Sequence, residues 1–369
     1  MIGIYIAVPF CAQKCSFCNF ASGVSPAAIE QQYLEALEAE ITTAEWPAPA
    51  DTLYVGGGTP SLLLVEALEP VILSLPRGGW TESTLEAAPG TVTAANAAAW
   101  RALGFDRVSL GVQSFVEREL RAVGRKHSVG QVEEEVGLLR RAGFERINLD
   151  LIAGLPHQTP ASWRESLDWI ERLAPPHVSI YMLEADEHSR LGREIEAGGG
   201  RYAAGAVPGE EQVVESYQEA VERLGRLGLR RYEISNFALP GAESAHNLKY
   251  WRREPYRGFG ADAHSFDASR RWWNVRAPEE YVERFRTGRS PVERVETVDR
   301  RQATEERFFL GLRQTAGIEP AEGEWLVFAA PIRRLSEGGL LERRDGRLRL
   351  TDRGVLLSNE VFQEFLSHA

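Results

Sequence analysis

The chain has 369 residues, of which 43% are hydrophobic and 26% are charged, so it can bury a large core and is not an intrinsically disordered chain. Its 42 lysines and arginines face 53 aspartates and glutamates, and the net charge of -11 opposes general binding to nucleic acid or to anionic lipid. The start of the chain lacks the features of an export signal and no apolar run approaches the roughly 20 residues of a spanning helix, so we expect a cytoplasmic protein, free in solution or peripheral at the inner face of the membrane.

Short β-rich runs alternate with helical patterns through the first two-thirds of the chain, which is typical of βαβ units that build a parallel sheet. Six strands are predicted, at Gly3–Val8, Thr52–Val55, Thr84–Ala87, Arg107–Gly111, Ile147–Ile152 and Val178–Leu183. The intervening helices include Glu30–Ala44, Ala94–Leu103, Gln131–Ala142 and Trp163–Leu173. Because six strands are fewer than the eight of a full barrel, the pattern is compatible with a partial barrel or with an open doubly wound sheet. In both folds, ligands bind at the carboxyl ends of the strands.

The last third of the chain has a less regular pattern. A stretch rich in Gly and Ala, at 197–209, is expected to loop at the surface before an amphipathic helix near Glu210–Leu227. Beyond Arg231 the sequence is irregular and aromatic, and helical patterns resume near Val295. Two short strands are then predicted around Asp345-Gly346, which is a hairpin signal. The helices on both sides of this hairpin predict a winged-helix-like unit with a structural or protein-contact role.

Three cysteines, Cys11, Cys15 and Cys18, lie within eight residues, directly after the first predicted strand. This arrangement excludes a disulfide framework and fits a reducing compartment. Thiolates bind both iron–sulfur clusters and zinc. A cubane cluster has four irons, so three cysteines would leave one iron open to another ligand. Zinc is the alternative, with a fourth ligand from one of the seven histidines, although zinc sites usually pair two Cys-x2-Cys elements.

Two other features follow predicted strands. The turn Gly56–Ser61 has small residues that let the backbone approach a ligand, and it opens a helical segment whose amino end favours a carboxylate. It lacks the lysine of a Walker loop, so nucleoside triphosphate binding is not indicated. Glu86 stands at the end of the third strand and is suited to accept hydrogen bonds from a ribose, although an isolated glutamate is more often simply solvated.

The spacing Cys-x3-Cys-x2-Cys, with an aromatic residue before the last cysteine, resembles the signature of the radical S-adenosylmethionine (SAM) superfamily. The resemblance implies a [4Fe-4S] cluster on the three cysteines, with SAM bound to the open iron through its amino and carboxylate groups. In that family an electron from the cluster cleaves SAM to a 5′-deoxyadenosyl radical. The SAM-binding residues that the resemblance implies are Tyr5, Phe17, Gly57, Gly58, Thr59, Glu86, Gln113, Arg125 and Asp150.

A second resemblance concerns the segments Tyr232–Ala238 and His246–Trp251, which are similar to the hallmark of HemW-type haem chaperones. It implies haem binding through His246, since imidazole is a common axial ligand and the neighbouring Tyr250 and Trp251 can flank a porphyrin face. The alternative is that these side chains pack in an aromatic core. The segments 258–265 and 350–354 resemble further parts of the same family, so the resemblance spans nearly the whole chain.

Together, these observations predict an α/β fold, a partial (β/α)6 TIM-like radical SAM barrel with a C-terminal winged-helix-like α+β domain. We expect the barrel at 1–235, a connecting segment with the His-Asn-x-x-Tyr-Trp motif at 236–294, and the winged-helix-like domain at 295–369.

The leading functional hypothesis is a haem chaperone that binds a [4Fe-4S] cluster, SAM and haem and delivers haem to an acceptor protein, such as a membrane respiratory enzyme. An electron donor and a second copy of the chain are further expected partners. The alternative is an oxygen-independent coproporphyrinogen III dehydrogenase-like oxidoreductase, but those enzymes carry another cysteine where this chain has Phe20, and they have a longer N-terminal extension. A zinc-binding scaffold is the third hypothesis.

Three positions depart from the pattern of these families. Ala7 replaces the histidine of Tyr-Ile-His-Ile-Pro, Asn19 stands where an acidic residue is usual, and Ala88 interrupts a Glu-x-Asn-Pro segment. Groups around a metal site orient its ligands. These departures therefore predict SAM binding that is weaker or altered in geometry.

Overall fold

The computed structural model describes residues 1–46, 48–76, 79–184 and 186–366. Its strands are β1 (Ile2–Val8), β2 (Ala50–Gly57), β3 (Glu82–Ala87), β4 (Arg107–Gln113), β5 (Arg146–Ala153), β6 (His177–Met182), β7 (Arg230–Arg231), β8 (Asn236–Ala238), β9 (Tyr256–Phe259), β10 (His264–Phe266), β11 (Arg270–Asn274), β12 (Val292–Thr297), β13 (Leu341–Arg344) and β14 (Arg347–Leu350).

The helices include two short 3-10 turns, Pro60–Leu62 and Arg201–Ala206. The α-helices are α1 (Ala27–Thr43), α2 (Val65–Leu73), α3 (Ala94–Ala102), α4 (Glu117–Ala122), α5 (Val129–Arg141), α6 (Pro160–Leu173), α7 (Arg190–Glu196), α8 (Glu210–Arg226), α9 (Ala245–Trp251), α10 (Pro278–Arg286), α11 (Arg300–Gly311), α12 (Glu322–Val327), α13 (Ala329–Glu337), α14 (Asp352–Leu356) and α15 (Ser358–Gln363). Among the described residues, no helix is both long enough and apolar enough to cross a membrane.

The six predicted strands are confirmed as β1 to β6, and they pair in parallel in sequence order. This order has no reversal of direction, so the sheet is wound one way, as in a barrel, and not doubly wound. Apolar runs buried on both faces explain why these segments are strands. In β1, for example, Ile4 and Ile6 are fully buried on one face, and Ala7 on the other face is 6% exposed.

Residues 236–294, expected as a connecting segment, contribute most of a flank of the same sheet. Strand β9 adds in parallel to β1, and β10, β11 and β12 follow it in antiparallel order. On the opposite side β8 pairs with β6 in antiparallel orientation. The aromatic segment therefore extends the partial barrel at both edges.

The C-terminal unit has the predicted winged-helix-like composition. Strands β13 and β14 form an antiparallel hairpin, and the turn residues Asp345 and Gly346 both have positive φ, as a tight two-residue hairpin turn requires. Helices α11 to α13 precede the hairpin and α14 and α15 follow it. Residues 367–369 of this predicted domain lie outside the described residues.

A buried carboxylate, that of Glu82, fixes helix α9 at the amino end of the sheet. Glu82 is only 1% exposed. Its two oxygens accept hydrogen bonds from the Ser244 hydroxyl at 3.1 Å and from the backbone amides of Ala245 and His246 at 3.0 Å each. Arg107, equally buried, donates to the same carboxylate at 3.1 Å. Glu82 thus binds both a helix amino end and a guanidinium.

Substitution Glu82→Ala should lower the free energy of unfolding by about 3–5 kcal/mol, because it leaves the Arg107 guanidinium buried without its counter-charge. Urea denaturation followed by circular dichroism measures this. The matched control is Glu117→Ala, whose ion pair with Arg121 is exposed on both sides and should change stability by less than about 1 kcal/mol. Equal effects of the two substitutions would contradict the role given to Glu82.

Candidate functional site

The carboxyl ends of the parallel strands gather most of the residues that the sequence singles out. The cysteine loop, which carries Cys11, Cys15 and Cys18, follows β1, and the glycine turn, Gly56–Ser61, begins at the end of β2. Glu86, Gln113 and Asp150 lie in or at the ends of β3, β4 and β5. Adjacent strands in parallel register place these side chains on one edge of the sheet.

The cysteine loop is held by backbone and side-chain hydrogen bonds. The amide of Cys11 donates to the carbonyl of Gly23 at 2.8 Å, and the amide of Ser16 donates to the carbonyl of Val123 at 3.2 Å. The Thr59 hydroxyl donates to the sulfur of Cys11 at 3.7 Å. All three thiols are partly exposed and free of disulfides. The loop therefore presents three thiols while its backbone is fixed by the rest of the fold.

Arg125 lies beside Cys15 and partly offsets the effect of burial on its thiol. Burial raises the pKa of the Cys15 thiol, and the charge and hydrogen bond of Arg125 act in the opposite direction. The neighbouring thiols Cys18 and Cys11 raise the same pKa, so the three sulfurs are near enough to repel one another as thiolates. A nearby guanidinium offsets that repulsion and favours the thiolate form that binds metal.

The donor set fits a cubane cluster. In the described part of the chain, no group of three or more His, Cys, Asp or Glu could hold a single metal ion. A [4Fe-4S] cubane does not need such a group, because each thiolate binds a different iron. Three thiols on one fixed loop supply ligands for three of the four irons. The guanidinium of Arg125 lies next to them.

The glycine turn packs directly against the cysteine loop. The amides of Gly58 and Thr59 donate to the carbonyls of Val8 and Phe10, each at 2.7 Å. A Cβ atom at Gly58 would lie 2.6 Å from the Phe10 oxygen, and one at Gly56 would lie 2.8 Å from the Glu86 carboxyl carbon. Glycine is required at both positions because neighbouring atoms approach so closely. The amides of Gly58 and Thr59 bond to the end of β1 and to the residue before Cys11, and are therefore not free for a ligand.

Glu86 is a half-buried carboxyl that accepts hydrogen bonds from two donors. It accepts hydrogen bonds from the Tyr54 hydroxyl at 2.8 Å and from the amide of Gly57 at 3.0 Å. Burial raises the pKa of Glu86 to about 7, while these two hydrogen bonds lower it and the nearby Asp150 raises it further. The carboxyl therefore changes its protonation state near neutral pH.

Asp150 and Arg125 share an electrostatic environment. Asp150 accepts hydrogen bonds from Asn148 at 2.7 Å and Ser109 at 3.3 Å, and burial raises its pKa while the charge of Arg125 lowers it. The Nε atom of Arg125 is buried and has no hydrogen-bond partner among the described residues. Since an unpaired buried donor is costly, Arg125 has a free donor for a ligand between Cys15 and Asp150.

The remaining residues predicted for SAM have defined positions. Tyr5 is half-buried on β1 and its ring stacks on Tyr54 with centroids 5.9 Å apart. Phe17 packs on a small apolar cluster that includes Val123 and Leu155. Gln113 has a φ of 70°, which is uncommon for a residue other than glycine.

His246 is the one predicted site residue that the structure places elsewhere. It is fully buried at the amino end of the sheet, with its Nδ1 2.9 Å from the Thr52 hydroxyl and its Nε2 2.9 Å from the Tyr250 hydroxyl. Burial lowers the pKa of His246 to about 3. Both ring nitrogens are engaged, so ligation of haem by His246 requires helix α9 to move, and that assignment stays a prediction.

Trp251, the last residue of the motif, lies away from His246 on the C-terminal side of α9. Arg313 covers its ring, with the guanidinium carbon 4.4 Å from the ring centroid. The two aromatic residues of the motif therefore face different surroundings: Tyr250 lies against His246, and Trp251 lies against the C-terminal unit.

A cavity of about 260 Å³ beside the cysteine loop is lined both by predicted site residues and by residues that the sequence did not identify as functional. We call it the cysteine-loop cavity. Its lining includes Tyr5, Ala7, Phe20, Tyr250, Tyr256, Asp262 and His264. The last two lie in the segment 258–265, which resembles the chaperone family but for which the sequence predicts no role.

Ionisation of Glu86 should make the ligand-free protein less stable as pH rises. Its pKa in the folded state, about 7, exceeds the ordinary 4.5, so its stabilising contribution is complete below pH 4.5 and lost as pH rises through 7. Between pH 6 and 8 the wild type should lose about 1 kcal/mol relative to Glu86→Gln. Urea denaturation of both proteins at each pH measures this difference. The pKa of Glu135 is also raised to about 7, but its titration is common to both proteins and cancels. Parallel pH profiles would contradict the raised pKa.

Comparisons with known proteins place the chain in a family. Residues 5–170 match the model of the radical SAM superfamily, and residues 298–357 match that of the HemN C-terminal domain. The chain is 34% identical to heme chaperone HemW of Bacillus subtilis, with 99% of each chain covered, and 33% identical to heme chaperone HemW of Lactococcus lactis, with 98% of this chain and 96% of that one covered.

Among solved structures, coproporphyrinogen III oxidase (HemN) from Escherichia coli, a radical SAM enzyme, has a TM-score of 0.84 and 24% identity, covering 99% of this chain and 89% of that chain. This likeness shows that the fold is shared. On the sequence identities to the HemW proteins and the matched radical SAM model, the chain belongs to the HemW family of the radical SAM superfamily, whose cofactors are a [4Fe-4S] cluster and SAM.

Proposed function

We propose that this protein is a haem chaperone, which binds haem beside its cluster and SAM and passes the haem to an acceptor protein. The observation that carries the proposal is the cysteine-loop cavity. Phe20 and Ala21 of the cysteine loop line one side of it, and Tyr250 of the His-Asn-x-x-Tyr-Trp motif lines another. A planar macrocycle needs broad aromatic contact surface. The names of the bacterial relatives, heme chaperone HemW, support the same function.

Within this function, we assign the cluster to Cys11, Cys15 and Cys18. When bound, the cluster supplies an electron and an open iron position for SAM. Arg125 stabilises the thiolate of Cys15 and keeps one donor free. The residues that we assign to SAM are Tyr5, Phe17, Gly57, Gly58, Thr59, Glu86, Gln113, Arg125 and Asp150.

The carboxyl groups give these assignments a chemical basis. Glu86, with a pKa of about 7, is poised to accept hydrogen bonds from the hydroxyl groups of a ribose, which would favour its ionised form. Asp150 lies on β5, two strands away from Glu86 on β3, and accepts hydrogen bonds from Asn148 and Ser109. The two carboxyls and Arg125 together provide acceptors and a cation for a ligand that carries both hydroxyl and charged groups.

One departure from the dehydrogenase pattern favours holding a cargo over oxidising a porphyrinogen. Phe20 stands in place of a further cysteine and is 65% exposed at the cavity, so it adds apolar surface where those enzymes have a thiol. Ala7, which departs from the pattern of both families, also lines the cavity. Asn19 donates a hydrogen bond to Asp186 at 2.5 Å, so an acidic group is still present near the end of the cysteine loop.

The partners of the proposed function stay predictions. A membrane respiratory enzyme as acceptor, an electron donor for the cluster and a homodimer follow from the family resemblance. A cytoplasmic or membrane-peripheral location is an expectation from the sequence. A chaperone must release its cargo, and this property separates it from a haem enzyme.

The test is a haem-transfer assay with the anaerobically reconstituted protein. We expect saturable binding of haem, followed by its appearance in apomyoglobin, used as a neutral acceptor and monitored by absorbance. The substitution Phe20→Glu should weaken haem binding at least tenfold because it places a charge on the aromatic surface, whereas Phe20→Leu should retain most of it. The matched control, Leu64→Glu, changes an exposed apolar residue outside the cavity lining and should have no effect.

Two outcomes would overturn the proposal. One is the absence of saturable haem binding by protein that carries its full complement of iron. The other is conversion of coproporphyrinogen III when SAM and a reductant are supplied, which would establish the oxidoreductase alternative. Stoichiometric zinc with no uptake of iron would favour the zinc-binding scaffold.

A further inference from the structure

We propose that His264 is the axial ligand of the haem iron and that His246 positions the binding surface through Tyr250. This inference rests on the proposed haem-binding function and names the residue that would hold the metal.

His264 opens into the cysteine-loop cavity from β10. Its side chain is exposed and lines the cavity together with Tyr5, Phe20 and Tyr250. The ring stacks on Trp273, its cross-strand partner in β11, with centroids 5.4 Å apart and an interplanar angle of 19°. This contact fixes the plane of the imidazole, and a fixed imidazole is a better ligand than a mobile one.

The nitrogens of His264 are also free. Within the described ranges, neither has a hydrogen-bond partner, whereas His246 and His177 use both of theirs. His157 contacts Arg118, and His188 lies near Glu187. Of the six histidines that the structure describes, His264 alone lines the cavity with an unengaged ring.

Arginine side chains lie near His264. Arg271 belongs to β11, the strand that pairs with the strand of His264. Arg271 is paired with Glu306 at 3.0 Å. Arg276 is exposed and near Asp262, and it is placed to bind a haem carboxylate.

The size of the cavity predicts a partly exposed cargo. Its volume of about 260 Å³ is below the roughly 300–1,000 Å³ of pockets that enclose a small ligand. A macrocycle bound here would therefore extend beyond the cavity. An acceptor protein could then approach the exposed part, as transfer requires.

His246 acts on this surface indirectly. Its Nε2 lies 2.9 Å from the Tyr250 hydroxyl, and the Tyr250 ring packs edge-on against Tyr256 with centroids 4.7 Å apart. Both tyrosines line the cavity. Loss of the His246 imidazole would therefore displace aromatic surface without removing an iron ligand, so His246 is a positioning residue.

The experiment is a haem titration of the reconstituted full-length protein, with the axial ligand identified by EPR and magnetic circular dichroism of the ferric haem. His264→Ala should lose the imidazole signature and bind haem at least tenfold more weakly, and added imidazole should restore the signature. His246→Ala should bind more weakly but keep the signature. His157→Ala, a histidine outside the cavity lining, is the matched control and should behave as the wild type.

The outcomes separate this inference from the proposed function. Absence of haem binding by the wild type would overturn both. If the wild type binds haem, an unchanged imidazole signature in His264→Ala would overturn the role of His264. Loss of the signature in His246→Ala, with folding shown to be intact by circular dichroism, would make His246 the ligand and leave the chaperone function standing.

Discussion

The arrangement of both ends of the sheet depends on the hydrogen bonds and the ion pair of the Glu82 carboxylate. This carboxylate binds the amino end of α9 and the guanidinium of Arg107, and both charged side chains are buried. Lys249, one turn further along α9, pairs with Asp51 at 2.9 Å and Glu254 at 3.1 Å. Because the helix is held at two points, Tyr250 is placed where it can line the cavity beside the cysteine loop.

The two ends of the sheet use the same side-chain chemistry for different purposes. At the amino end, His177 and His246 are buried with both ring nitrogens bonded, so they stabilise a polar core layer. At the carboxyl end, the three thiols are partly exposed and the pKa of Glu86 is raised. Arg125 there has a donor, Nε, without a partner among the described residues. Environment, and not residue type, thus separates the structural histidines from those available to a ligand.

The sequence predicts the parallel strands well because each is a buried apolar run between helical patterns, and it predicts the cysteine site because three ligands are close in the chain. It does not predict the burial of His246, whose partner Thr52 lies 194 positions away. Strands β9 to β12 are short and irregular in pattern, and only β9 pairs with a strand of the parallel series, so the sequence predicts a connecting segment there. The cavity at His264 is lined by residues of β1, the cysteine loop, α9 and β10. These segments are far apart in the chain, so no local sequence pattern predicts that they lie together.

The central claim is that haem lies in the cysteine-loop cavity beside the cluster, and the most direct test is a crystal structure of the haem-loaded protein. The account predicts density for the macrocycle against Phe20 and Tyr250, with the iron bonded to a nitrogen of His264. Haem at the amino end of the sheet, bonded to His246 with α9 displaced from Glu82, would contradict it.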